Sequence, residues 1–357
     1  MEKYGQYRDK STGIAPFFSV APPASSPLLL PWHILLFTIR IPFLIVAWLV
    51  WLLAVQWMPA GSMFRKATQW CLLGIPGVWW IDLQVDGVRR GSLASGPKGR
   101  LPGTGTIIAS SFTSPLDVLY LAAIFDPIFT LSEPKSRKVR PISLESALAS
   151  CFAVPNPLEL NSKVEPTELA KLTKRNPNRV IVVFPESTTG NGRGILRFSP
   201  SLLSALPNTK IYPVSLRYSP PDVVTPMPGW IEALKFIWRL NSRQTHCIRV
   251  RIGGPMSLAA PSVSTLEASP AVKSTGRSNN TVGKSYDSNF FDDFEASPSP
   301  KNNCDDGTDD EVEMNDSERR ALDSVADSLA RLGRVKRVGL GVQEKAEFVH
   351  AWSKRRA

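Results

Sequence analysis

The sequence predicts an α/β protein: a layered domain with a largely parallel central sheet, preceded by an N-terminal membrane segment. Short β-branched runs alternate with helical patterns between Trp79 and Ile252, which is how βαβ units read, and not how an all-helical or all-β chain reads. Ahead of them lies an apolar stretch far longer than a core strand needs. A chain of 357 residues is also long enough to bury a full core, as one large domain or two smaller ones.

Residues 1–27 are polar and Pro/Ser-rich and read as a loose lead-in. From Leu28 to Met58 the chain runs "LLLPWHILLFTIRIPFLIVAWLVWLLAVQWM", with Arg40 as its only formal charge. The charge-free part, Ile41 to Trp57, is about the minimum span of a bilayer core, and Trp48, Trp51 and Trp57 suit an interfacial belt. Cleavable signal peptides have a shorter apolar region nearer the N-terminus. Pro31, Arg40 and Pro42 leave two geometries open for the anchor over 28–60: one tilted span, or a re-entrant hairpin. "KATQWCLLGIPGVWW", broken by Gly74, Pro76 and Gly77, reads as an interfacial segment leading into a domain over 61–260.

Within that domain the strand candidates are Trp79–Val85, Gly105–Ala109, Arg179–Phe184, Lys210–Arg217 and Cys247–Ile252. Helix candidates are Leu116–Ile124, Leu144–Phe152, Thr167–Arg175 and Pro200–Leu206. Residues 261–317 change to Ser, Thr, Asn, Asp and Pro with few apolar positions, the composition of a disordered insertion. Helices close the chain over 318–357. Leu322, Val325, Leu329 and Leu332 share one helical face, and a short basic helix follows.

Net charge is +11, but the segment from Asp287 to Glu318 holds twelve acidic residues against one lysine. Elsewhere 41 basic residues face 19 acidic ones, a bias that points to an anionic partner such as a membrane surface or a phosphorylated substrate. Nucleic acid is set aside: there is no zinc finger, RNP-like aromatic motif or basic helix with interleaved aromatics. Cys71, Cys151, Cys247 and Cys304 are widely spaced, so neither a disulfide framework nor a metal site is indicated. His33, His246 and His350 are the only histidines, which narrows any general-base chemistry.

Three segments carry chemistry. In "VIVVFPESTTGNGRGILRF", Phe184, Pro185 and Glu186 follow directly on a strand, and Thr188, Thr189, Asn191, Gly192 and Arg193 follow within one loop. Backbone N–H groups, threonine hydroxyls and a guanidinium on one turn make an anion site without a metal. Arg193 would grip phosphate as a fork, which lysine does not imitate. Glu186 would organise the loop or receive a proton from a hydroxyl. In "SSFTSPLD", Ser114 fits an N-cap, Pro115 the first helical position and Asp117 the third, so Asp117 is either half of a catalytic pair or a helix cap. In "IYPVSLRY", Pro213 and Val214 end a core strand, and Arg217 either adds charge near a phosphate or lies exposed at the strand end.

Read together, these segments resemble the glycerolipid acyltransferases, the lysophosphatidic acid and lysophospholipid acyltransferase family, from about Trp79 to Arg217. They correspond to that family's N-H-x-x-x-x-D, F-P-E-G-T-R/T and apolar-Pro-Val motifs, and "TTGNGR" is similar to its lysophospholipid-type branch. The closing "VGLGVQEKAEFVHAW" is similar to fungal members. The resemblance implies an acyltransferase-like layered fold, acyl-CoA as co-substrate, no further cofactor, a lysophospholipid acceptor and a membrane lipid surface. It also implies residence at the endoplasmic reticulum membrane or a lipid droplet, with the globular domain in the cytosol. In the family the motif histidine takes the acceptor's proton and the aspartate orients it. Here Asp117 matches the aspartate, while Phe112 occupies the histidine position and has no proton-accepting atom. Ser187 stands where the family has glycine, a change expected to be tolerated at φ below zero. Finally, Phe290, Phe291, Asp292 and Glu295 in an acidic tract resemble the peptide that recruits proteins to endoplasmic reticulum receptors.

Overall fold

The computed structural model describes residues 2–23, 26–88, 99–155, 165–258 and 314–354. The receptor-like tract around Phe290 and nearly all of 261–317 lie outside the described residues.

Seven strands form one sheet: β1 (Val78–Val85), β2 (Ile107–Ser110), β3 (Ile128–Ser132), β4 (Val139–Ile142), β5 (Ile181–Phe184), β7 (Ile211–Ser219) and β8 (His246–Ile252). Their order is β1-β8-β7-β2-β5-β3-β4. Pairing is parallel between β1 and β8, β7 and β2, β2 and β5, and β5 and β3; it is antiparallel between β7 and β8 and between β3 and β4. The sheet is therefore mixed and mostly parallel. Strand residues alternate between its two faces. Ile108, Val182 and Val214 pack with Leu72, Leu116 and Leu121. Ile107, Ala109, Ile181, Val183 and Ile211 pack on the other side with Leu169, Leu172 and Val325.

The helices are α1 (Leu30–Leu53), α2 (Met63–Gly74), α3 (Pro115–Phe125), α4 (Leu144–Ser150), α5 (Leu169–Arg175), α6 (Trp230–Ser242), α7 (Asp316–Gly333) and α8 (Val342–Ser353). A small parallel pair joins β6 (Gly194–Ile195) to β9 (Lys336–Arg337). Strands β3 and β4 and helix α6 go beyond the sequence reading. Prolines bracket β3, and Pro141 sits within β4, where an edge strand tolerates it. The expected helix at Pro200–Leu206 is a 3-10 turn over Pro200–Ser204.

The polar lead-in is not loose. Tyr4, Tyr7 and Phe17 are buried with Leu196, Val338 and Phe348, so its aromatic residues outweigh its Pro/Ser content. α1 is one continuous helix through Pro42, and most of its apolar surface faces outward. It is nevertheless fastened to the domain. Arg40 donates to the carbonyls of Pro76, Asn241, Arg243 and Gln244. Phe37 meets Trp238 at 4.9 Å, and buried Trp51 donates to Glu145. Gly77 permits the Arg40 contact: at φ +92, a Cβ there would lie 2.6 Å from the Gln244 carbonyl oxygen.

Candidate active site

Because β7, β2 and β5 are adjacent and parallel, their C-terminal ends open side by side, the edge at which such sheets hold ligands. The first two motifs leave the sheet there, and the third reaches that edge through Tyr218 at the end of β7.

After β2 the chain turns into α3. Ser114 accepts the Leu116 N–H at 3.3 Å and donates to the Val223 carbonyl at 2.7 Å. Asp117 closes a capping box. Its Oδ2 accepts from Thr113 N at 2.7 Å, Ser114 N at 2.9 Å and the Thr113 hydroxyl at 3.0 Å. Its Oδ1 accepts the Tyr218 hydroxyl from the end of β7. Both oxygens are engaged and the side chain is fully buried; that burial pushes the carboxyl up to about 6 despite the donors around it. Tyr218 is held well above the usual phenol range, first by burial and then by the Asp117 charge.

Phe112 is buried, with its ring 4.4 Å from that of Phe184 and inclined by 26°. Phe184 in turn lies parallel to Phe129 at 6.4 Å. Phe112 is therefore one member of a buried aromatic stack.

Glu186 joins two motif loops. Its Oε1 accepts the Phe112 N–H at 3.4 Å and its Oε2 the Leu196 N–H at 3.1 Å. Burial pushes its carboxyl up to about 8. The Phe112 carbonyl also receives the Gly190 N–H at 3.0 Å. Ser187 adopts φ +55, against the expectation of a negative value. A turn from the Phe184 carbonyl to Ser187 N (3.1 Å) sends the chain on in the left-handed region, where glycine is free of strain and serine is not. The Ser187 hydroxyl oxygen is buried there without a partner among the described residues.

Most of the loop's polar groups serve as internal struts. Thr189 donates to the Thr225 carbonyl at 2.8 Å, and Thr188 and Pro185 are buried beside it. Asn191 donates to the carbonyls of Ala15 and Phe18 and accepts the Arg193 N–H, pinning the lead-in onto the loop. Gly192, at φ +70, brings the chain against Thr113, whose Cγ2 would lie 3.7 Å from a Cβ. Arg193 is exposed and borders an open pocket of about 530 Å3. Arg217 is not with these groups: it donates to the Gly333 carbonyl at 2.8 Å, at the C-terminal end of α7.

One charged residue has no counterpart in the sequence reading. Lys345 of α8 is fully buried, and its ammonium donates to the Thr189 carbonyl at 2.6 Å and hydroxyl at 2.8 Å. Burial lowers its pKa to about 7. The available signal is its place three residues before Phe348 on the buried stripe of α8. His246 is no substitute base: its Nε2 lies 2.8 Å from the Leu240 carbonyl oxygen, and its charged neighbours are Arg40, Asp222 and Arg243.

Over 242 residues the chain is 29% identical to a Schizosaccharomyces pombe protein described as "Putative lysophosphatidic acid:oleoyl-CoA acyltransferase", covering 64% of this chain and 77% of that one. Over 207 residues it is 27% identical to lysophosphatidic acid:oleoyl-CoA acyltransferase 1 of Saccharomyces cerevisiae, covering 56% of this chain and 61% of that one. The chain is thus similar to two fungal proteins named as lysophosphatidic acid:oleoyl-CoA acyltransferases. No family model matches it, and no solved structure matches it significantly. Among its described residues, no group of histidine, cysteine and carboxylate side chains is placed to hold a metal.

Proposed function

We propose that the protein transfers a fatty acyl chain from acyl-CoA to lysophosphatidic acid, giving phosphatidic acid, within an acyltransferase-like layered fold. The observation that carries this reading is that both curated relatives are named for that reaction. The convergence of the three motif segments at one sheet edge supports it.

The acceptor hydroxyl oxygen attacks the thioester carbonyl, the C–S bond breaks, and the hydroxyl proton ends on the departing coenzyme A sulfur, directly or through water. A thioester is already activated, so orientation and anion binding lower the barrier without an imidazole. Losing a general base forfeits about 10²- to 10⁴-fold in rate, and slow turnover is expected. Asp117 contributes by fixing loop 112–114 and the start of α3. Glu186 locks that loop to the segment before Leu196, and Arg193 meets substrate phosphate.

The apolar N-terminal helix fits membrane association. Tethered at Arg40 and Trp51, α1 lies along the domain; with exposed Trp230, Leu234 and Trp238 of α6 it would rest in one leaflet. A phospholipid-covered surface of the endoplasmic reticulum or a lipid droplet, facing the cytosol, suits such a face.

The buried Phe112 stack favours a second reading, a relative that binds lysolipid or acyl-CoA without turnover. Purified protein given labelled oleoyl-CoA and a panel of lysophospholipids separates the two. Acylation of lysophosphatidic acid above a boiled control, and faster than that of lysophosphatidylcholine, supports the proposal; no turnover above the boiled control with lysolipid binding intact overturns it in favour of the second reading.

A further inference from the structure

The pocket bordered by Arg193 is completed by cations from outside all three motifs. Gly194 of β6 pairs opposite Lys336 of β9, which sets Lys336 beside the motif loop. Arg331 and Arg334, at the end of α7, and Thr12 of the lead-in complete the rim. Of these four cations only Arg331 has a carboxylate partner among the described residues, Asp86 at 2.6 Å.

The charge extends onto the sheet. Arg217 and Arg249 stand directly opposite each other across β7 and β8, with Arg251 two residues on. Like charges in that position destabilise a sheet. Arg217 and Arg251 donate to the carbonyls of Gly333 and Leu332, and Arg249 pairs with Asp82. Both Arg217 and Arg251 sit below the ordinary arginine range, through burial first and then through neighbouring guanidiniums that include Arg249 and Arg334. Four cations thus line the pocket with one paired carboxylate, Asp86, and Arg217, Arg249 and Arg251 add positive potential on the far side of Arg334. Arg334 is held at φ +49, at a helix end where glycine carries no strain. A lone phosphomonoester carries about −2, whereas a nucleotide with a diphosphate and a further phosphate carries roughly twice that.

We infer that this pocket takes the phosphate groups at the nucleotide end of acyl-CoA, held by Arg193, Arg334 and Lys336. The inference rests on the acyl-CoA reading above and adds to it a coenzyme site built from the C-terminal segment.

The test pairs Arg334→Gly with Lys336→Gln. Glycine suits the backbone at position 334 and Lys336 is exposed, so the double variant keeps its fold. Calorimetric titration with adenosine 3′,5′-bisphosphate reads the pocket without any turnover. The native protein is expected to bind it and the variant at least tenfold more weakly, while Arg320→Gln, at the far end of α7, binds as the native protein does. In turnover assays the KM for oleoyl-CoA rises at least tenfold in the double variant, and the KM for lysophosphatidic acid stays unchanged. The native protein shows a similar rise with 3′-dephospho-oleoyl-CoA. Equal bisphosphate affinity in native and variant, or no binding by the folded native protein, overturns the inference. So does a rise confined to the KM for lysophosphatidic acid, which assigns the pocket to the acceptor headgroup. Weakened bisphosphate binding in a protein that never turns over leaves the inference standing and removes the acyl-transfer reading instead.

Discussion

Asp117→Asn keeps the side chain's shape while removing its charge, and the surroundings of Asp117 set what that costs. Three donors converge on Oδ2, and an asparagine oxygen placed there still accepts from Thr113 N, Ser114 N and the Thr113 hydroxyl. Its amide nitrogen then faces the Tyr218 phenol, which can accept in place of donating. Only the charge-assisted part of the network is lost, roughly 1 to 2 kcal/mol. Asp117→Ala strands all four donors in a buried site, at roughly 1 to 3 kcal/mol for each unsatisfied group before relaxation. A net loss of about 4 kcal/mol is expected, in the range reserved for broken buried networks.

The pH dependence has a definite sign. The Asp117 carboxyl rises to about 6 in the folded protein, against about 3.9 in an unfolded chain. The folded state therefore holds the proton more tightly. Its contribution to stability is full below pH about 4 and is lost as pH rises through 6, on the order of 2 to 3 kcal/mol. Asparagine does not titrate, so between pH 4 and 7 native protein loses that much stability relative to Asp117→Asn. Urea unfolding in detergent, followed by tryptophan fluorescence at both pH values, measures it. As a cap, Asp117→Asn keeps its acyl-transfer rate within about threefold. A folded Asp117→Asn with native stability and a rate lowered at least 10²-fold would falsify the capping role.

Phe112→His alone is expected to raise the rate less than tenfold, because Tyr218 already occupies Asp117 Oδ1. Combined with Tyr218→Phe it should gain about 10²-fold or more in initial-rate assays, in line with a restored general base; no difference between single and double variants would contradict this geometry. Ser187→Gly relieves φ +55 and a buried unpartnered hydroxyl, and should stabilise the protein by about 1 kcal/mol in the same unfolding assay. Lys345, lowered to about 7 when folded, binds its proton less tightly there than when unfolded. Native stability should therefore rise from pH 7 to 10, and thermal midpoints of Lys345→Met should lack that rise.

The parts of the fold legible in the sequence are those with local causes. β2, β5 and β7 were marked by β-branched runs ending in turn chemistry, and the start of α3 by Ser114, Pro115 and Asp117 at cap spacing. What stayed hidden depends on distant partners. Lys345 reaches a loop 156 residues earlier in the chain, and the lead-in's aromatics are buried among Leu196, Met227, Val338 and Phe348, all distant in sequence. The sequence leaves Arg217 either near a phosphate or exposed at the strand end; in the structure its guanidinium donates to the Gly333 carbonyl at the end of α7, more than a hundred residues later. Ser187 shows the converse: a serine adopts the positive φ that favours glycine, against the negative value expected. The sequence marks Phe112 as a departure from the motif it resembles, but only the structure shows its ring stacked on Phe184.

The central claim is that this site transfers an acyl chain despite Phe112. Its most direct test is the initial rate of phosphatidic acid formation from labelled oleoyl-CoA and lysophosphatidic acid, for purified native protein beside boiled protein and Arg193→Ala. Product that grows linearly with native protein, and falls at least tenfold in a folded Arg193→Ala, is the predicted result. Native protein no faster than boiled protein, with its binding of lysophosphatidic acid intact, would contradict the claim.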